Sequence, residues 1–208
     1  MYQTYFWDFD GTLFDSYAIM APALVYGFKR QQVEVSKDLA YQLMRQKSRG
    51  EAFKSLGKQW PQVDLKKAYA DYKSYERAHL QSLQPFNGAK EVLAAIVAAG
   101  GQNFLLTHRN DEAWQLLAKA NLKQYFTGGV SGADNFARKP NPASLKYLCE
   151  KYQVNPARAA MVGDRTLDIE AGHNAGMAGI LFDPDDLIED CKPDLRVTNR
   201  KHSIMRRM

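Results

Sequence analysis

The 208-residue chain has little of what would place it outside the ordinary globular class. Its two cysteines, Cys149 and Cys191, fall in neither a Cys-x-x-Cys nor a Cys/His metal pattern. A disulfide scaffold or structural zinc site does not fit, and both are read as ordinary thiols of a reducing cytoplasm. Long apolar runs are missing as well. The most hydrophobic, Val92 to Ala99, has about eight residues against the roughly 20 that a membrane-spanning helix needs. The opening Met1-Tyr2-Gln3-Thr4 lacks a basic region and meets Asp8 and Asp10 before any sustained apolar stretch, so no export signal is expected and the expected location is cytoplasmic. Charge of one sign is not in large excess either: 28 Lys and Arg oppose 23 Asp and Glu, a formal net charge of +5. Such a field favours anionic ligands without naming one. The densest basic cluster, Arg200, Lys201, Arg206 and Arg207, has no accompanying aromatic ladder or DNA-reading motif. It is read as a solvated terminus, and neither nucleic acid nor membrane is expected as a partner.

What the chain does contain is a 45% hydrophobic, 12% aromatic composition able to bury a core in one or two domains. The aromatic, apolar run Thr4 to Phe9 ends at Asp10-Gly11-Thr12 and reads as a buried strand stopping at a turn. Between Gly88 and Ala99, apolar Ala89, Val92, Leu93, Ile96 and Val97 recur at helical spacing, with Gly100-Gly101 as the stop. A strand at Phe104-Leu105-Leu106, a helix over Asp111 to Ala120, a short strand at Gly129 to Ser131 and a helix opened by Asn141-Pro142 follow. Next come a strand at Ala159 to Val162, a helix ending near Gly176 and a strand at Gly179 to Phe182. This alternation predicts an α/β fold, a parallel sheet flanked by helices, with ligands beyond the carboxyl ends of its strands. Ser16 to Gln84 breaks the rhythm: it is rich in Lys, Gln, Tyr and Arg, is helical in period and holds no convincing strand. At about 69 residues it exceeds any normal connection, so the expected domains are 1–15 with 85–208, and a separate helical bundle over 16–84.

Two tight acidic pairs mark the strand ends: Asp8 with Asp10 after the first strand, and Asp164 with Asp168 after Ala159 to Val162. Carboxylates brought together raise one another's pKa, so such a cluster calls for a cation. Hard oxygen ligands with a phosphate nearby suit Mg²⁺, and Lys139 supplies further positive charge. Taken singly, Asp-x-Asp-Gly is a common turn and Gly-Asp a common strand exit; the joint arrangement is what argues for function.

These elements resemble the haloacid dehalogenase-like superfamily, in particular its helically capped phosphatases of the phosphoglycolate phosphatase and β-phosphoglucomutase type. Its motifs are matched in order by Asp8-Phe9-Asp10-Gly11-Thr12-Leu13, by Thr107, by Lys139-Pro140, and by Gly163-Asp164-Arg165-Thr166-Leu167-Asp168. The resemblance implies a Rossmann-like core with an inserted all-helical cap, and a phosphatase that hydrolyses a small phosphomonoester metabolite. In it Asp8 is the nucleophile that forms an aspartyl-phosphate, and Asp10 protonates the leaving oxygen and later activates water. Mg²⁺ is expected on the Asp8 carboxylate, the Asp10 main-chain carbonyl and Asp164. Gly11, Thr107, His108 and Lys139 form the expected phosphate-binding set, with Asp168 orienting Lys139 or metal-bound water. Arg109, like His108, is a candidate for substrate contact or for donating a backbone amide. In the cap segment, Lys47 and Arg49, beside Arg45, are candidates to grip a second anionic group, against the alternative of a solvated basic helix end. Tyr69, Tyr72 and Tyr75 are read as cap packing, and His79 and His173 as structural.

A phosphomutase using the same phosphoaspartate is the nearest enzymatic alternative, although Ser16 to Arg30 lacks the His often found after the first motif of the known mutase. Dehalogenation needs less than Asp10 and Asp164 provide, and phosphonate cleavage would need a cap Lys in a recognisable setting. A non-catalytic binding protein on the same fold is the alternative from another class. Substrate identity and oligomeric state are open at this point.

Overall fold

The computed structural model describes residues 2–198. The tail residues Arg200, Lys201, Arg206 and Arg207 lie outside the described residues. In chain order the principal elements are β1 (Thr4–Trp7), α1 (Tyr17–Lys29), α2 (Lys37–Gln46), α3 (Arg49–Gln59), α4 (Leu65–His79), α5 (Ala89–Ala98), β2 (Gln102–Leu106), α6 (Glu112–Lys119) and β3 (Gly128–Val130). They continue with α7 (Ala143–Tyr152), β4 (Ala159–Gly163), α8 (Thr166–Asn174), β5 (Ala178–Phe182) and β6 (Leu195–Val197). The chain divides into two compact units, one running to Asp15 and resuming at Gln84, the other Ser16–Leu83. Gln84, expected in the helical insert, falls in the sheet unit, where its carbonyl accepts a hydrogen bond from Asp15 N–H at 3.2 Å.

In the sheet unit six parallel strands are ordered β3-β2-β1-β4-β5-β6. All four residues of β1 and all five of β4 are buried, as expected for strands covered on both faces. Trp7 is opposite Leu105 of β2 on one side and Val162 of β4 on the other. From β1 the chain crosses to β2 and β3 on one side of it and then passes back to β4 on the other. Strand order therefore reverses between β1 and β4, which is where an open α/β sheet forms its ligand crevice. Phe6 and Phe104 stack within the core, 5.1 Å between centroids. The edge strand β6 was not foreseen in the sequence: it is three residues long and only Val197 is buried.

In the helical unit α1, α2, α3 and α4 enclose Leu24, Phe28, Met44, Leu56 and Tyr72, each no more than 1% exposed. Side-chain caps start three of these helices: Ser36 accepts from Leu39 N–H, Ser48 from Glu51 N–H, and Asp64 from Lys66 and Lys67 N–H. Gly27 of α1 lets the backbone of α4 approach closely, since a Cβ there would meet the Ala68 carbonyl oxygen. No helix among the described residues is long and apolar enough to cross a membrane.

Candidate active site

Asp8 is the first residue beyond β1, and its N–H donates to the Val162 carbonyl at 2.9 Å, tying it to the neighbouring strand β4. Asp164 follows β4 directly, and Asp168 sits in the first turn of α8 with Oδ2 accepting Arg165 N–H at 3.1 Å. Gly163 permits this fold-back, because a Cβ there would overlap the Asp168 carboxylate. Oxygens of Asp8, Asp164 and Asp168 all lie within 4.8 Å of one another. The three residues are 3%, 0% and 0% exposed, so the cluster is almost wholly removed from bulk water.

Lys139 is buried among them. Its Nζ donates to Asp8 Oδ1 at 2.6 Å and to the Leu106 carbonyl at 3.2 Å, and ion-pairs with Asp168 Oδ1 at 2.6 Å. Burial opposes the Lys139 charge, but Asp168 and Asp8 outweigh it and raise its pKa. Burial pushes Asp8 up to about 7; Lys139 opposes the rise, and Asp168 and Asp164 add to it. Both partners of the pair are thus raised, Asp8 chiefly by burial and Lys139 by the two carboxylates it faces. Asp8 Oδ2 is buried and has no hydrogen-bond partner among the described residues.

That geometry fits a hard divalent cation. The clustered donors are all carboxylate oxygens, they repel one another at this separation, and one buried oxygen of Asp8 is left without a donor. The clustered side chain beside Asp8 and Asp164 is that of Asp168, while the Asp10 carboxylate is outside this cluster and is held by Arg109. Arg109 Nε donates to both of its oxygens at 3.1 and 3.2 Å, and Arg109 Nη2 to Oδ1 at 2.8 Å.

The remaining expected residues are distributed as follows. Thr107, 3% exposed, lies just beyond β2 and accepts Arg109 N–H on Oγ1 at 3.0 Å. Gly11 adopts φ 79°, the left-handed conformation a tight turn requires, and its N–H donates to the Phe14 carbonyl at 2.8 Å. What Gly11 supplies is therefore the turn, since its own amide is taken up inside it. His108 Nε2 accepts the Lys139 backbone N–H at 2.9 Å, so this nitrogen holds the Lys139 loop rather than a phosphate. Burial first, then Lys139, Arg138 and Arg165, hold His108 down at about 3, and it stays neutral.

In the helical unit Lys47 is exposed, whereas Arg49 lies over the rings of Tyr69 and Tyr72 at 5.6 and 5.7 Å. Arg45 is 2% exposed and its guanidinium lies 5.7 Å from the Tyr17 ring centroid, so it is a core residue of the bundle and not a solvated helix end. Tyr72 is fully buried and stacks on Tyr69. His79 Nδ1 contacts the Tyr75 carbonyl at 2.8 Å and His173 pairs with Asp194 at 2.9 Å, both outside the acidic cluster. The pairing of Arg109 with Asp10 had no sequence signal beyond the place of both at strand ends.

Comparison with known proteins bears on the family and the fold. Among curated relatives, a phosphoglycolate phosphatase of Vibrio vulnificus (strain YJ016) is 40% identical over 91 residues, 43% of this chain and 40% of that protein. One of Haemophilus influenzae is 30% identical over 129 residues, 61% and 58% of the two chains. The matched stretches thus span well under two thirds of these relatives. Among solved structures, a hydrolase from Streptococcus pneumoniae TIGR4 is 35% identical and superposes with a TM-score of 0.67 over 86% of this chain and 91% of that one. A predicted phosphoglycolate phosphatase from Haemophilus somnus 129pt, 23% identical, shares the fold with a TM-score of 0.80 over 96% and 95%. The family model of haloacid dehalogenase-like hydrolases matches residues 5–191, and with the acidic cluster at the reversal of strand order the chain belongs to that family.

Proposed function

We propose that the protein is a Mg²⁺-dependent phosphatase that hydrolyses a small phosphomonoester through an aspartyl-phosphate on Asp8. The observation that carries this reading is the asymmetry of the buried Asp8 carboxylate: Oδ1 is held by Lys139, and Oδ2 is without a partner. Such a carboxylate is oriented for attack through one oxygen. Asp8 and Asp164, with the Asp10 main-chain carbonyl, would hold the cation, with Asp168 close by. When bound it supplies positive charge that offsets the repulsion between carboxylate and phosphate.

The chain's own residues account for the remaining steps. A lone pair of Asp8 forms the new bond to phosphorus, the ester P–O bond breaks, and the departing oxygen takes its proton from Asp10. Lys139 and the Thr107 hydroxyl bind phosphoryl oxygens, in a site dry enough to make those contacts strong. Thr107 Oγ1 already accepts Arg109 N–H, which leaves its own proton to donate. Asp10 then takes a proton from water as that water attacks the phosphoaspartate, and breaking its P–O bond to Asp8 releases phosphate.

Phosphoglycolate belongs first on the substrate panel because the curated relatives carry that name, and sugar phosphates and nucleoside monophosphates follow. Phosphate release is measured with Mg²⁺ and with a chelator. Activity is expected on at least one member and only with the metal, and Asp8→Asn is expected to lower it by roughly 10,000-fold or more. Undiminished turnover in Asp8→Asn, or no metal-dependent release across the panel, rejects the proposal.

A further inference from the structure

Arg109 has no part in the reaction as set out above except through its backbone amide. Yet its side chain is 8% exposed and its guanidinium grips Asp10, 99 residues away in sequence, through both carboxylate oxygens. The fork is supported from behind: the guanidinium carbon is 5.7 Å from the Phe9 ring centroid, and Glu112 Oε2 is 3.6 Å from Nη1. The Asp10 side chain stays 26% exposed, so the grip closes one side of the carboxylate and leaves the other open. A planar guanidinium engaged at two points fixes the plane of a carboxylate as well as its position, which a Lys cannot do.

We infer that Arg109 is a positioning residue for the acid–base step: it sets the rotamer of Asp10 and, through the hydrogen bond its backbone N–H donates to Thr107 Oγ1, the direction of the Thr107 hydroxyl. The inference rests on the phosphatase reading of the site. One residue past the end of β2 thereby couples the acid of the first motif to the phosphate-binding hydroxyl of the second. The Asp10 carboxyl carries two rotatable bonds and would otherwise spread over several rotamers, most of them out of reach of a leaving oxygen.

The consequence depends on the leaving group. A nitrophenolate departs without needing a proton, whereas the alkoxide of an alkyl phosphate must be protonated as it leaves. Losing the fork should therefore be felt mainly with alkyl phosphates. Single turnovers with enzyme in excess, following release of alcohol or nitrophenol, isolate transfer to Asp8 from the later hydrolysis. In Arg109→Ala and Arg109→Lys the rate on the alkyl substrate is expected to fall by about 30-fold or more, a fraction of the 100- to 10,000-fold a general acid contributes. The nitrophenyl rate should fall less than about 3-fold, and KM for either should change little. In an Asp10→Asn background, adding Arg109→Lys should produce no further loss, because the side chain it positions no longer transfers a proton.

Equal losses on both substrates, or a full additional loss in the Asp10→Asn background, overturn the inference while leaving the phosphatase reading intact. A wild-type chain inactive on every phosphate ester removes the reading itself, so the two failures are distinguishable. If Arg109→Ala does not fold, Arg109→Lys, which retains the charge, carries the same comparison.

Discussion

Replacing Lys139 by Met keeps an unbranched side chain of similar size and removes its charge. The ammonium is 1% exposed and stands 2.6 Å from both Asp8 Oδ1 and Asp168 Oδ1, whose side chains are 4% and 0% exposed. Removing one member of such a buried ion pair costs about 3–5 kcal/mol, mostly the penalty of carboxylates left without counter-charge. For a chain of this size that is a fall in Tm of roughly 6–20 °C. The deficit carries a pH signature. Burial holds Asp8 at about 7 against the opposing pull of Lys139, far above the ordinary 3.8 of the unfolded chain, so without Lys139 it rises further. From about 7 up to that higher value the folded variant holds a proton that its folded parent has lost, so acidification through this range stabilises the variant relative to its parent. The gap between parent and variant should therefore be widest at alkaline pH, narrow as pH falls to about 7 and level off below it. Urea and thermal melts in a chelator measure it. A gap below about 1 kcal/mol at pH 8, or one that widens on acidification, would refute the electrostatic account of the cluster. Adding Asp8→Asn to Lys139→Met should recover part of the loss, since it deletes one of the stranded charges.

Two further outcomes test other parts of the structure. His108, held at about 3 against an ordinary 6.5, contributes stability that is complete above 6.5 and is lost as pH falls towards about 3. His108→Gln should flatten the dependence of the unfolding free energy on pH in that window, by at most about 1.4 kcal/mol per pH unit; equal slopes would exclude a buried neutral His108. In the helical unit, Gly27→Ala puts a methyl group against the Ala68 carbonyl oxygen and should destabilise the α1–α4 pair by about 1–3 kcal/mol, read from urea midpoints. An unchanged midpoint would show that the two helices separate at little cost.

Much of the fold was legible because its signals are local. The unbroken Tyr5-Phe6-Trp7 run announces a strand covered on both faces, and the spacing of Val92, Leu93 and Ile96 announces one buried helix face. The strand ends carrying Asp8 and Asp164, and the helical character of the long insert, follow from such periods and from the turn residues between them. β6 escaped because three residues with a single buried side chain leave no period to read. The boundary at Gln84 escaped because it depends on contacts with residues distant in sequence, such as the backbone hydrogen bond from Asp15.

The sequence by itself determined which residue types stand at the ends of which strands, and hence that carboxylates, a Lys and a hydroxyl are available for phosphate chemistry. Only the tertiary structure decided how they pair. The alignment of Trp7 with Leu105 and with Val162 brings the first motif between the second and the fourth, and from it follow the fork of Arg109 on Asp10 and the enclosure of Lys139 by Asp8 and Asp168. Arg45, a basic residue in a polar-looking helix, proved to be core for the same reason. A side chain's period along the chain is set by its own backbone, but the partner that its charge finds is set by strand register and helix packing, which arise only when distant segments meet.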